Sequence, residues 1–406
     1  MAASATSKNR VIIVGGGPVG LVSALSLALR DVPVLVLEGY HELFKDLRAG
    51  SFHPPTLEVL EPIGVTTKLL DLGIVVPRWQ LRDRKEGVVG TFELSLLKDE
   101  TRYPYRLHLE QHKLTPLVYD MLKPIPHAEV RFSCRVTSVT QSDDGVVVTA
   151  DTPNGTETFE GKWAIGADGG GSVVRKSAGI DFGGFTYPER FALVSTPYDL
   201  GQRGFTDTAY ISHPVEWCAV FRLPDVKPPG LWRFLYGCRP NESEEESLSD
   251  DNVEERLQAV VPKQGRYETR HKTIYRVHQR VAETFRAGRI VIAGDAAHLN
   301  NPIGGFGLNS GLQDAMNLTD KMVGIWRGEL DASALDRYVR QRRTANIEYV
   351  QEASMRNKRT LEEADDNVRK QRLDEMRKAS QIPALAKEIV MKSSMIASMR
   401  RANAIA

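Results

Sequence analysis

One short passage near the start of the chain restricts the fold more than anything after it. Residues 10–14 form a β-branched apolar run, the mark of a strand buried on both faces. Gly15-Gly16-Gly17-Pro18-Val19-Gly20 follows at once. Leu21, Ala24, Leu25, Ala28 and Leu29 then recur at helical spacing, Asp31 closes that helix, and residues 32–37 read as a second buried strand. Gly15 permits a tight turn, Gly17 lets backbone approach a pyrophosphate, and Gly20 lets the helix lie close on the strand. The free N–H groups and positive end of that helix favour an anion. Glu38 ends the second strand, where it can accept hydrogen bonds from ribose hydroxyls. The acid favours a free 2′-hydroxyl over a phosphorylated ribose. The passage predicts a dinucleotide site with Gly15, Gly17, Pro18, Gly20 and Glu38 as contacts.

The same passage is the one apolar stretch of membrane length, and its glycines and Pro18 would break a spanning helix in the middle. No membrane insertion is expected. Lys and Arg number 53 against 52 Asp and Glu, so no basic field invites nucleic acid. Three scattered cysteines (Cys134, Cys218, Cys238) suit neither a disulfide framework nor a zinc site. The N-terminal residues lack an apolar core and read as a tail rather than a signal peptide, so a cytoplasmic location is expected.

Two further clusters carry the same kind of turn. Residues 163–167 read as a buried strand, delivering Asp168-Gly169 ahead of Ser172 and Arg175; an acid there can equally cap a helix. Residues 289–293 read as another, delivering Gly294-Asp295 ahead of the run Pro302-Ile303-Gly304-Gly305-Phe306-Gly307-Leu308-Asn309. Asp295 is placed for a polyol hydroxyl, and the glycines bring backbone close to a flat ligand. The helix N-terminus is expected near Asn309–Leu312, aimed at a ring that becomes anionic on reduction.

Between these pieces lies alternating, antiparallel material. Residues 130–158 read as a β-meander, and residues 191–275 as a sheet interrupted by the acidic stretch 241–256, read as a solvated loop and helix start. The expected division is residues 1–75, 105–187 and 278–330 for one discontinuous domain. Residues 76–104 and 188–277 form an inserted sheet domain, and 331–406 a helical end.

Jointly the three clusters resemble the single-component FAD-dependent aromatic hydroxylases of the para-hydroxybenzoate hydroxylase type, over roughly residues 10 to 330. Arg48 and Gln111 are lesser matches. The resemblance implies an α/β fold: a discontinuous Rossmann-like FAD domain with an inserted antiparallel substrate sheet and C-terminal helices. It implies FAD, with NADH or NADPH and O2 as co-substrates, and hydroxylation of a small phenolic or heteroaromatic compound through a flavin C4a-hydroperoxide. By that analogy Gly15, Gly17, Gly20 and Glu38 hold the ADP half. Arg48 and Gln111 contact pyrophosphate and ribityl, and Asp295 with Gly294 binds the ribityl chain. Asp168 serves FAD and NAD(P)H, and Pro302, Gly305, Gly307, Leu308 and Asn309 border the ring. Phe306 departs from the family, standing where glutamine is common. The chain after Asp314 is expected to be helices rather than the thioredoxin-like domain of phenol hydroxylase relatives, and no partner beyond a second copy of itself is implied.

For the substrate, alternation puts Trp217, Ala219 and Phe221 on one face of a strand, and Trp232, Phe234 and Tyr236 on one face of the next. An aromatic face lining an apolar pocket is one reading and ordinary sheet core the other. Tyr210 or Arg222 could anchor a carboxylate or phenol oxygen, with a surface ion pair as the alternative for Arg222. His53 and His298 read as supporting hydrogen bonders, and no catalytic base is identified. Same-fold halogenases, prenyl-chain reductases and flavin-holding sensors are the alternatives; the halogenase Trp-x-Trp-x-Ile-Pro stretch is missing, since Trp217 is followed by Cys-Ala-Val-Phe-Arg.

Overall fold

The computed structural model describes residues 8–45 and 49–406. Strand Val11–Val14 is flanked in parallel by Trp163–Gly166 and Val34–Leu37. Ala128–Arg131 extends one side and Ile290–Ile292 the other, so the six-stranded sheet draws its strands from distant parts of the chain. Only the short strand Arg286–Ala287 runs antiparallel. The first helix, Pro18–Ala28, covers one face and packs against the long helix Phe306–Trp326. The first helix is apolar on nearly every side because it is sandwiched, whereas the long helix buries polar groups such as Asn309, Gln313 and Asp314 along with its apolar ones.

The meander becomes three antiparallel strands, Arg135–Gln141, Val146–Thr152 and Gly155–Gly161. A separate eight-stranded sheet contains Phe182–Thr196, Thr208–Ser212, Cys218–Leu223, Leu231–Gly237 and His271–Ala282, and strands Arg78–Asp83 and Gly87–Glu93 join its edge. The long strands Phe182–Thr196 and His271–Ala282 both belong to this sheet, and the expected boundaries at 187/188 and 277/278 fall inside them.

The acidic stretch, expected as a solvated loop and helix start, is helical over most of its length. It forms two helices, Glu244–Leu248 and Asp250–Val260, opened by Ser243 and Ser249 caps that satisfy backbone N–H groups. Acids in each first turn suit the helix dipole, and Arg256, buried, draws Glu216 and Glu242 inward. The last 70 residues are helical: Ala334–Ala345 and Ile396–Asn403 pack on one another beside the long helix, while Asp366–Gln381 and Pro383–Ser393 cover the edge strand Gly87–Glu93.

Candidate active site

A cavity of about 700 Å³ lies between the two large sheets. Its walls run from the glycine turn and Glu38, past Asp168, Asp295 and Pro302–Leu308, to Thr208, Tyr210 and Phe221. Sequence positions hundreds of residues apart therefore share one continuous space.

At the first end Gly15 has φ +105°, and a Cβ there would stand 2.4 Å from the Ala167 carbonyl oxygen. A Cβ on Gly20 would lie 1.9 Å from the Gly15 oxygen, so helix and turn meet at a distance only glycine allows. Gly17 differs: its Cβ would meet no protein atom within 4 Å, because it points into the cavity. No side chain caps the N-terminus of this helix. Glu38 Oε2 accepts from the Gly16 N–H at 2.5 Å and Oε1 from the Tyr40 N–H at 2.9 Å, which fixes the carboxylate at the cavity wall. Gln111 lines the same end. Arg48 lies outside the described residues.

Asp168 takes up the capping alternative. Its Oδ1 accepts from the Ser172 hydroxyl at 2.5 Å, and Oδ2 from the N–H groups of Val173 and Val174, closing the helix Val173–Ser177. Burial pushes its carboxyl up, against the pull of these bonds.

The ring-side loop corrects the expected helix start. The long helix begins at Phe306, three residues before Asn309, with Gly305 at φ +71° as its cap and no side-chain cap bond. The free N–H groups are thus those of Phe306, Gly307 and Leu308, all on the cavity wall. Asn309 does not border the cavity. It is fully buried, accepting from the His53 N–H at 2.8 Å and donating to the carbonyls of Ser51 and Gly305. An amide with donors and acceptor all engaged serves as a clamp rather than a ligand contact. The ring of Phe306 turns inward, stacking on His53 with centroids 5.7 Å apart and packing with Val350 and Met395.

His53 Nε2–H donates to the Gly304 carbonyl at 2.9 Å. Burial, reinforced by the nearby Arg106 charge, holds it well below the ordinary histidine pKa, so it stays neutral. His298 supports the other side: its Nε2 is 2.6 Å from Asp314 Oδ2, which also accepts from the Gly294 N–H at 3.1 Å. Arg342 Nε closes on Asp314 Oδ1 at 2.6 Å. This buried network fixes the turn that presents Asp295 to the cavity. Burial pushes Asp314 up, but His298 and Arg342 outweigh it and its carboxyl lies below the ordinary value.

The far end corrects the substrate candidates. Trp232 and Tyr236 face away from the cavity, packing with Val253 and Leu257 of the helix behind the sheet. Paired strand neighbours alternate together, so the side chains that share the Tyr210 face are Ala219, Phe221, Arg233 and Leu235. Trp217 lies in the sheet core against Phe191, 5.0 Å between centroids. Arg222 points away and pairs with Asp207 at 2.8 Å. Of the five candidates, Tyr210 alone lines the cavity.

Sequence reasoning passed over Arg106 and His108, which sit two apart on strand Arg106–His108 and both line the cavity. The signal was Arg-Leu-His alternation, with Leu107 in the core between two buried polar groups. His108 Nδ1–H donates to the Arg222 carbonyl at 2.8 Å, leaving Nε2 to accept from the Thr208 hydroxyl at 3.1 Å. Burial, with Arg106 and Arg222 adding to it, takes its pKa down to about 4. Arg106 is 3% exposed and forms no ion pair with any carboxylate among the described residues. Its Nη2 donates to the Ser393 carbonyl at 3.1 Å, its Nη1 stands 3.5 Å from Tyr210 Oη, and its Nε has no partner.

The fit to an extended dinucleotide rests on two helix N-termini left uncapped by side chains, both on the cavity wall, and on the open space in front of Gly17. One suits a pyrophosphate and the other an anionic ring edge. Among the described residues no cluster of His, Cys, Asp and Glu could hold a metal, and no helix is long and apolar enough to cross a membrane. Fold and site together define an FAD-dependent flavoprotein with a separate, partly apolar substrate end.

The family model described as FAD binding domain matches residues 8–353, and the chain belongs to that family. It is 33% identical over 362 residues to para-nitrophenol 4-monooxygenase from Pseudomonas sp. (strain WBC-3), covering 87% of this chain and 88% of that one. It is 33% identical over 359 residues to 6-hydroxy-3-succinoylpyridine 3-monooxygenase HspB from Pseudomonas putida (strain DSM 28022 / S16), covering 87% and 89%. The crystal structure of p-nitrophenol 4-monooxygenase PnpA from Pseudomonas putida DLL-E4 superposes with a TM-score of 0.90 at 30% identity, over 97% of this chain and 98% of that one. The chain is an FAD-dependent aromatic monooxygenase, with FAD as cofactor and NADH or NADPH as reductant. The halogenase, reductase and sensor alternatives are not favoured.

Proposed function

We propose that the protein hydroxylates a small phenolic or heteroaromatic compound, using NAD(P)H and O2. The observation that carries this reading is the single cavity joining the glycine turn, the uncapped Phe306 helix end and the Tyr210–Phe221 roof. FAD, when bound, supplies the redox chemistry that takes a hydride from NAD(P)H and activates O2.

The chain's own residues bind, orient and shield. In this reading Gly15, Gly17, Pro18 and Gly20 hold the pyrophosphate against the first helix, Glu38 accepts from the ribose, and Gln111 and Asp295 flank the ribityl chain. Pro302, Gly305 and Gly307 border the ring, and the N–H groups of Gly307 and Leu308 stabilise negative charge there. Leu193, Ala219, Phe221, Leu235 and Val277 exclude water from the reacting ring. His53 and Asn309 hold the ring-side loop in place without touching the substrate. A cytoplasmic location accords with the three free, buried cysteines and with the use of a nicotinamide reductant. Self-association as a homodimer belongs to the same reading and is read by sedimentation.

The test is NAD(P)H oxidation by the yellow holoenzyme against a panel of phenols, with hydroxylated product and H2O2 both quantified. Product tracking NAD(P)H loss supports the reading, and H2O2 alone for every phenol sinks the substrate class. For the ribityl assignment, Asp295→Ala should weaken FAD binding by roughly 10-fold or more, the loss of one charge-assisted hydrogen bond. Unchanged flavin affinity in a fluorescence titration would show that the assignment is wrong.

A further inference from the structure

We propose that Gln279 is a positioning residue for the reaction: through Asn301 it sets the gap between the substrate roof and the ring-side loop. It thereby sets how much of the activated oxygen reaches the substrate. This rests on the monooxygenase reading above and deepens it.

The loop needs such a support. Residues 299–308 all line the cavity except Asn301, which is fully buried and turns away from it. Between strand His298–Leu299 and the helix start at Phe306 the loop has no helix or strand of its own. Gly304 at φ +114° and Gly305 at φ +71° add backbone freedom rather than restraint. Its place is therefore set from outside, by what its remaining groups bond.

Three ties do this, at Leu299, Asn301 and Ile303. Gln351 Nε2–H donates to the Leu299 carbonyl at 2.9 Å, and Asn357 Nδ2–H to the Ile303 carbonyl at 3.2 Å. Both come from the C-terminal helices, where Gln351 closes the π-helical turn Asn346–Gln351 and Asn357 lies in helix Glu352–Leu361. The third tie reaches further. Gln279 Oε1 accepts from the Asn301 N–H at 3.1 Å, while Asn301 Oδ1 accepts from the Ile303 N–H at 3.1 Å. At the other end of the same amide, Gln279 Nε2–H donates to Ser354 Oγ at 3.0 Å and to the Gln351 carbonyl at 3.3 Å. One buried side chain thus joins loop, strand and C-terminal helices.

Its strand decides what that junction controls. Alternation along His271–Ala282 puts Tyr275, Val277 and Gln279 on one face. Val277 lines the cavity and shares an apolar cluster with Ile303 of the loop. The roof strand and the loop are thus joined twice, by apolar packing at Val277 and by hydrogen bonds at Gln279. A buried amide costs more to desolvate than an apolar side chain of the same shape, but once satisfied it admits fewer arrangements. Oxygen transfer needs that restriction, because the reacting atoms must be held in one geometry. With the roof out of place, O2, NAD(P)H and a proton end as H2O2 and NAD(P)+, and the substrate leaves unchanged.

The experiment compares holoenzymes by two readings. The first is hydroxylated product formed per NAD(P)H oxidised, with 4-nitrophenol as probe. If the parent leaves that phenol unchanged, the best-hydroxylated phenol of the panel above replaces it. Gln279→Leu should lower the ratio about 10-fold or more, with H2O2 making up the difference. Misfolded enzyme lowers product and NAD(P)H oxidation together, so a merely structural role predicts an unmoved ratio. Gln279→Glu keeps the side-chain length and the acceptor facing Asn301, and should recover about half of the parent ratio or more. The second reading is amide hydrogen exchange over residues 299–305, without NAD(P)H. It should be about 10-fold faster in Gln279→Leu, the worth of one hydrogen bond. Should that variant fail to fold, Ser354→Ala removes only the hydroxyl behind Gln279 and should move both readings the same way, by about 2- to 3-fold. A parent-like ratio or parent-like loop exchange in the variant that folds overturns the inference, as does a Glu variant no better coupled than the Leu one. A parent that hydroxylates no phenol rejects the functional reading, and this inference with it.

Discussion

Gly17→Ala is expected to leave the apoprotein as stable as the parent while weakening FAD binding by about 100-fold or more. Gly17 has φ −73°, open to any residue, and caps the first helix without any side-chain bond. Exchanging glycine for alanine at such a cap changes stability by only about 0.5 kcal/mol. The added methyl meets no protein atom, because the space before it belongs to the cavity. It would therefore collide only with the pyrophosphate, and a hundredfold loss corresponds to about 2.7 kcal/mol. Denaturation of apoprotein and flavin titration read the two quantities separately. Gly20→Ala is the contrasting control: its methyl would stand 1.9 Å from the Gly15 carbonyl, so stability should fall together with binding. Equal FAD affinity in Gly17→Ala and the parent would remove the pyrophosphate from this turn.

Asp314→Asn should be the most destabilising single change near the site, by about 3–5 kcal/mol, because it leaves Arg342 buried without its anion. Flavin retention should fall with it, since Asp314 also holds the Gly294 N–H and so the turn carrying Asp295. The pH dependence follows from the lowered carboxyl. A group whose folded pKa lies below its unfolded one contributes stability that is present above the unfolded value and lost as pH falls through the folded one. Parent protein should therefore lose stability on acidification across that interval, and Asp314→Asn should lose less. Urea denaturation midpoints across an acid pH series measure both, and a variant whose midpoint equals the parent's at neutral pH would contradict this role for the network.

The glycine-turn end of the cavity was readable because its demands are local. A tight turn, a helix end and an acid after the second strand all lie within 30 residues, and Gly15, Gly20 and Glu38 act through backbone or immediate neighbours. The substrate half depends on which face of a sheet meets the cavity, and that choice is made by distant partners. Trp232 and Tyr236 alternate correctly in sequence, yet helix Asp250–Val260 covers their face and the cavity takes Leu235 and Phe221. The helix start was misplaced because Gly305 caps it through a left-handed conformation rather than a capping side chain. Asn309 resembled a ligand contact for the same reason, although its amide is consumed by Ser51, His53 and Gly305. Arg106 escaped notice because nothing in Arg-Leu-His reveals that no carboxylate will meet it.

The most direct test of the account is a turnover of the holoenzyme with NAD(P)H and a phenol under 18O2, with mass spectrometry of the product. The cavity that joins the glycine turn to the Tyr210 roof predicts a hydroxylated ring carrying one 18O atom drawn from O2, formed in step with NAD(P)H oxidation. Product oxygen drawn from water, or NAD(P)H consumed to H2O2 alone with every phenol that binds, would contradict it.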